Sequence, residues 1–178
     1  MVTKIFNDKK IKIRELSEYS VKDTKRFLDF INSFIKEDAQ LLWKEKFSLK
    51  GERAWLKDEL KEVKNKQKVY LVAEENNIIV GSTEVGAGAG RADHIGTLHI
   101  AIRSGYRGMG LGKYLMDSVI KLAKRKLKVK IIKIPVFSTN KPAIGLYKNR
   151  GFKKVARVPK QFQYKGKMVD EIILLKYL

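Results

Sequence analysis

Between Ile11 and Leu16 the chain reads IKIREL, placing Ile11 and Ile13 on one face of a strand. The period then changes. Over 21–36, Val21, Phe27, Leu28, Ile31, Phe34 and Ile35 recur at helical intervals, and a second helical pattern runs over 51–65 through Trp55, Leu56, Leu60 and Val63. Between the two, EDAQLLWKEKFSL follows neither period. VYLVAEENNIIVGSTEV is a pair of β-rich runs around Asn76 and Asn77, residues that tolerate the positive φ of a tight turn, and it predicts an antiparallel pair over 68–75 and 78–85.

GAGAGRAD, 86–93, is a small-residue loop that serves either as a flexible hairpin connection or as a substrate-facing loop. A strand over 94–102 follows, then a helix on which Leu111, Leu115, Val119, Leu122 and Lys126 mark one face, then the strand VKIIKIPVF. Asn140 as N-cap, Pro142 in the first turn and Gly151 as the C′ residue delimit a shorter helix. Two strands, 152–158 and 168–176, close the chain around a turn near Lys165-Gly166. The order β, α, α, β, β, β, α, β, α, β, β predicts an α/β (α+β) fold with a mixed, mostly antiparallel sheet of about seven strands and about four helices on its faces.

At 178 residues the chain is expected to form a single domain over 1–178. The absence of cysteine excludes disulfides, thiolate metal sites and cysteine nucleophiles, and with only two histidines, His94 and His99, no metal site is expected. No stretch approaches about 18 uninterrupted apolar residues and MVTKIFNDKKIKIREL has no apolar core of signal-peptide length, so a soluble cytoplasmic protein away from the membrane is expected. The 39 Lys+Arg against 19 Asp+Glu give a formal charge of +20, which raises the local concentration of any polyanion, from nucleic acid to a phosphorylated cofactor. Because the lysines are scattered through every predicted element, they describe a charged surface better than a dedicated nucleic-acid face.

The sharper signal is YRGMGLGKYLM, 106–116, at the junction of a predicted strand and helix. Such a turn aims several unpaired N–H groups and the positive end of the helix dipole at one spot, which suits an anion of phosphate size. Arg107 and Lys113 would add charge-assisted hydrogen bonds. Two nucleotide motifs fail on register. Counting back from Gly112-Lys113, a P-loop would need Gly at Arg107 and a hydroxyl at Tyr114, and in a G-x-G-x-x-G reading Gly110-x-Gly112 leads to Leu115.

What remains is Arg-x-x-Gly-x-Gly at Arg107, Gly110 and Gly112, and downstream STNKPAIGLYKNRGF, 138–152, carries an Asn, then Ala, then Leu-Tyr, then Gly-Phe. Together they resemble the Gcn5-related N-acetyltransferase (GNAT) superfamily, over about 94–152 by motif and 10–178 by element order. The resemblance implies an acetyl-CoA-dependent N-acetyltransferase acting on a primary amine in a ternary complex, with the pyrophosphate at Arg107, Gly108, Met109, Gly110, Leu111, Gly112 and Lys113. It implies further that two parallel strands splay apart and bond the pantetheine arm through the main chain of Ile100, Ala101 and Ile102. By the same resemblance Asn140 is a cofactor contact, Tyr147 contacts the cofactor and protonates the leaving sulfur, and Glu84 serves as the general base, with His99 and His94 as alternatives. The acceptor is open among polyamines, antibiotics, amino acids and protein amines, and homodimers are frequent among such proteins. The alternative is a non-catalytic CoA-binding protein, or a basic nucleic-acid-associated one, that keeps the fold.

Overall fold

Asn7 and Asp8 both hold positive φ, 43° and 64°, as a two-residue hairpin turn requires. In this computed structural model, which describes residues 1–178, they join β1 (Val2–Phe6) to β2 (Lys9–Glu15). β1 was not predicted: its first four residues are all exposed, so no apolar alternation marks it. Two short 3₁₀ turns lead to α1 (Thr24–Lys36) and then α2 (Leu49–Lys64). β3 (Lys68–Glu75) and β4 (Ile78–Ala87) form the expected hairpin, with Asn76 and Asn77 at φ 47° and 66°. β5 (Ile95–Ile102), α3 (Leu111–Lys126), β6 (Ile131–Phe137), α4 (Lys141–Lys148), β7 (Lys153–Tyr164) and β8 (Lys167–Tyr177) complete the chain.

The strands form one sheet in the order β1-β2-β3-β4-β5-β6-β8-β7, so the count is eight where about seven were expected. Every neighbouring pair is antiparallel except β5 and β6. Both faces are covered. α3 packs Leu111, Leu115, Met116 and Val119 onto Val69, Leu71, Val85 and Leu98, while α1 and α2 bury Phe27, Phe30 and Leu56 against Tyr70, Val72 and Ile79. Burial on two faces explains the unbroken apolar run VYLVA of β3, which a one-sided strand would alternate with polar residues.

The parallel pairing of β5 with β6 is short. Ile95, Gly96 and Thr97 pair with Ile131, Ile132 and Lys133, and beyond Thr97 no residue of β5 pairs with β6. β5 instead stays with β4 as far as the Arg103 N–H, which donates to the Val80 carbonyl at 2.9 Å, while β6 follows β8 up to Phe137. The sheet therefore opens between the C-terminal ends of β5 and β6, at the end where the glycine-rich turn leaves β5.

Candidate active site

The three glycines of the turn do two different things. Gly108 and Gly110 hold φ of +77° and +89°, a left-handed backbone that side chains resist, and a Cβ at either would meet nothing within 4 Å. Gly112 has no positive φ; its absent Cβ would lie 3.6 Å from Ile102, 3.7 Å from Leu146 and 3.9 Å from Ile100. Gly110 is the N-cap of α3 and offers no side-chain cap. The Tyr114 N–H is satisfied by the Gly110 carbonyl, so the N–H groups of Leu111, Gly112 and Lys113 are the ones a helix leaves unpaired, and they point with the dipole toward the open end of the sheet.

The ladder alternation sorts the residues of β5. Because Arg103 bonds to β4, so do Ala101 and His99, and the main-chain groups of Ile100 and Ile102 turn the other way, into the gap. Of the three predicted gap residues, Ile100 and Ile102 thus present backbone there and Ala101 does not. The Ile102 carbonyl already accepts from Arg107 Nε at 2.7 Å. The other end of that guanidinium is paired with Glu37 at the C-cap of α1, so Arg107 reaches the site with one arm committed to an acid. Met109 is half-buried against the core, and Lys113 is exposed at the helix start.

On the far side of the gap, Asn140 caps α4: its Oδ1 accepts from the Ala143 N–H at 3.2 Å. Gly151 holds φ +83° just past the helix, and the Phe152 N–H returns to the Tyr147 carbonyl at 3.1 Å. That turn seats the Phe152 ring 6.1 Å from Tyr147, which is 6% exposed. Burial pushes the Tyr147 phenol up to about 12, so it is a neutral O–H donor at physiological pH.

The predicted Glu84 lies on the α1/α2 face of the sheet, directly across the ladder from His99. His99 Nδ1 is 3.1 Å from Glu84 Oε1, and Lys68 Nζ is 3.4 Å from Oε2. Burial raises the Glu84 carboxyl, but the hydrogen bond to His99 and the charge of Lys68 outweigh it and hold it below the usual range. Glu84 is 18% exposed in its side chain and His99 is 57% exposed, so the histidine is the member of the pair that meets solvent. His94 sits elsewhere, at the start of β5, where its carbonyl accepts from the Lys130 and Ile131 N–H groups and anchors the paired end.

Sequence reasoning missed two buried acidic residues of α2. Glu52 and Glu59 of α2 are 3% and 7% exposed and face inward with Leu56. With Leu56 they form an i, i+4, i+7 face, of which the apolar spacing that predicts α2, Trp55, Leu56, Leu60 and Val63, includes only the middle residue. Glu59 grips Lys68 Nζ at 2.7 and 2.8 Å. Burial and then Glu84 raise the Glu59 carboxyl, against the pull of Lys68.

Residues 32–152, about two thirds of the chain, match the model of the Acetyltransferase (GNAT) family. No curated protein sequence matches the chain. Among solved structures, a ribosomal-protein-alanine N-acetyltransferase from Brucella melitensis is similar over 94% of this chain and 99% of its own, at 23% identity and a TM-score of 0.79. A GNAT-family acetyltransferase from Streptococcus pneumoniae aligns over the same shares at 24% identity and a TM-score of 0.80. A phosphinothricin acetyltransferase from Sinorhizobium meliloti, crystallised in complex with AcCoA, covers 94% of this chain and 88% of its own at 15% identity and a TM-score of 0.79. With a family model spanning both glycine-bearing blocks and the shared fold around the opened sheet, the chain belongs to the GNAT family of acetyltransferases.

Proposed function

We propose that the protein transfers the acetyl group of acetyl-CoA to a primary amine in a ternary complex. The observation that carries this is the opening of the sheet: β5 leaves β6 after Thr97 and presents the main chain of Ile100 and Ile102 opposite the uncapped start of α3. The residues fit the donor. The unpaired N–H groups of α3, with Gly108 and Gly110 keeping side chains away, suit a pyrophosphate, and an extended amide-bearing arm can bond the free edge of β5 as another strand would. Acetyl-CoA supplies the activated acyl group as a thioester.

The chain's own groups manage two protons. The acceptor amine must lose one before its lone pair can form the amide bond, and the departing sulfur must gain one as the carbon–sulfur bond breaks. His99 takes the first: its Nδ1–H donates to Glu84, which leaves Nε2 as the acceptor, and Lys68 keeps Glu84 ionised and in place. Glu84 is thereby a positioning residue for His99. Tyr147 gives the second as a neutral phenol, which costs less in a closed site than carrying a charge into it.

The test is release of free CoA thiol from acetyl-CoA with amine acceptors. Tyr147→Phe is expected to lower kcat by about 10²-fold, the usual scale of a general acid, with the KM for acetyl-CoA little changed. An unchanged kcat removes Tyr147 from the chemistry. In His99→Ala, added imidazole should restore part of kcat, as it would not for a residue that only packs.

A further inference from the structure

The connection between α1 and α2, EDAQLLWKEKFSL, follows neither period in the sequence, and in the fold it closes on itself at its base. Asp38, at φ 49°, turns the chain out of α1, and the Ala39 N–H returns to the Phe34 carbonyl at 3.0 Å. At the other end Asn32 of α1 holds Phe47 twice: its Nδ2 donates to the Phe47 carbonyl at 3.1 Å, and its Oδ1 accepts from the Phe47 N–H at 2.9 Å. Residues 38–47 thus leave and rejoin the helical layer side by side, as in an Ω-loop.

From that base the loop crosses the gap in the sheet. Glu37 pairs with Arg107, whose Nε is bonded to the Ile102 carbonyl on the β5 side. Gln40 Nε2 donates to Thr139 Oγ1 on the β6 side, next to the Asn140 cap of α4. The β7–β8 hairpin holds the same stretch from a third direction. There the Tyr164 hydroxyl donates to the Asp38 carbonyl at 2.8 Å, and Lys44 Nζ donates to Gln163 Oε1 at 3.4 Å. Because it springs from α1 and α2, the loop covers the gap on the face of the sheet that carries His99.

The two kinds of attachment differ in strength. The base is held by main chain and by the doubly bonded Asn32 amide, whereas the tip is held by exposed side-chain bonds, each worth little against water. No residue from 35 to 51 is buried. Ala39 and Leu41 are half-buried against the helical core, and Leu42 and Trp43 are 67% and 60% exposed. A segment so thinly packed opens locally without unfolding the helices that carry it.

We propose that residues 38–47 are a lid, hinged where Asn32 holds Phe47 and latched at Thr139 and Tyr164, that closes the acceptor side of the gap and keeps water off the thioester. The inference rests on the acetyl-transfer reading. With the latch open, water competes with the amine. Its oxygen bonds the acyl carbon as the carbon–sulfur bond breaks, one of its protons ends on the sulfur, and acetic acid and CoA leave.

The experiment measures CoA released from saturating acetyl-CoA with no amine present, in the wild type and in Gln40→Ala/Tyr164→Phe, together with amide hydrogen exchange of both proteins. The double variant should release CoA about 5-fold faster, gain as much melting temperature from acetyl-CoA as the wild type, and exchange faster over 38–47 alone. Equal release, unchanged exchange over 38–47, or a variant that no longer gains from acetyl-CoA overturns the proposal. So does faster release with faster exchange through α1 and α2, which would mean that the whole helical layer had loosened. Equal release while acetyl-CoA still stabilises both proteins leaves the donor site standing. Failure of acetyl-CoA to stabilise the wild type overturns the acetyl-transfer reading as well.

Discussion

An unpaired carboxylate at 3% exposure leaves a mark on stability. Burial raises the folded-state pKa of Glu52 to about 7, above its value in the unfolded chain. The folded protein therefore binds more protons than the unfolded one between those two values, and the contribution is present below the unfolded pKa and lost as pH rises through about 7. At about 1.4 kcal/mol per unit, the penalty at pH 8 is on the order of 3 kcal/mol. Glu52→Gln should accordingly melt several degrees above the wild type at pH 8 and near it at pH 4.5. Thermal melts at the two pH values check this, and an equal difference at both would show that the carboxyl titrates normally. Glu84 behaves oppositely, held below the usual range by His99 and Lys68 once these outweigh burial, so its contribution is lost as pH falls. None of this was readable in the chain. Glu52 and Glu84 are 32 positions apart, and a glutamate on an amphipathic helix reads as solvent-facing until the sheet is seen behind it.

At the level of the elements, the turn into α3 divides the work of its glycines, and substitution should separate them. Gly110→Ala forces a side chain into φ +89° and should cost about 1–2 kcal/mol, whereas Gly112→Ala places a methyl at ordinary contact distance in a helix and should be neutral or stabilising. Chemical denaturation of both variants reads the difference. The same turn is tied to α1 through the Arg107–Glu37 pair. A pyrophosphate bound at α3 would compete with Glu37 for that guanidinium, so Glu37→Gln is expected to lower the KM for acetyl-CoA several-fold; a raised KM would mean that Glu37 holds Arg107 in its binding pose. The motif itself was legible because strand, glycines and helix are contiguous. The assignment of Ala101 to the gap was not, since only the register with β4 tells which main-chain groups face it. β1 escaped for another reason: an exposed edge strand carries no apolar alternation, though the Asn7-Asp8 pair was a turn signal in plain view.

Across the whole molecule, charge and topology act together. The +20 surface should draw an anionic donor toward the site, so kcat/KM for acetyl-CoA should fall with added salt while kcat at saturation holds steady. Within that field Glu59, Glu62 and Glu84 gather around Lys68 on the opposite face of the sheet from α3. The mixed sheet was readable from element order, because a β-helix-β crossover after antiparallel strands permits few other arrangements. The depth of the opening between β5 and β6 was not, because it depends on β6 leaving with β8, a pairing more than 30 residues away along the chain. That opening is the centre of the account, and one measurement addresses it directly: the thermal stabilisation given by saturating acetyl-CoA in the wild type and in Gly112→Leu. The leucine starts from an unstrained backbone and extends toward Ile100, Ile102 and Leu146. The wild type should gain several degrees with acetyl-CoA, and Gly112→Leu, measured against its own unliganded melting temperature, should gain almost none. Equal stabilisation of the two proteins would place the donor somewhere other than the mouth of the opened sheet.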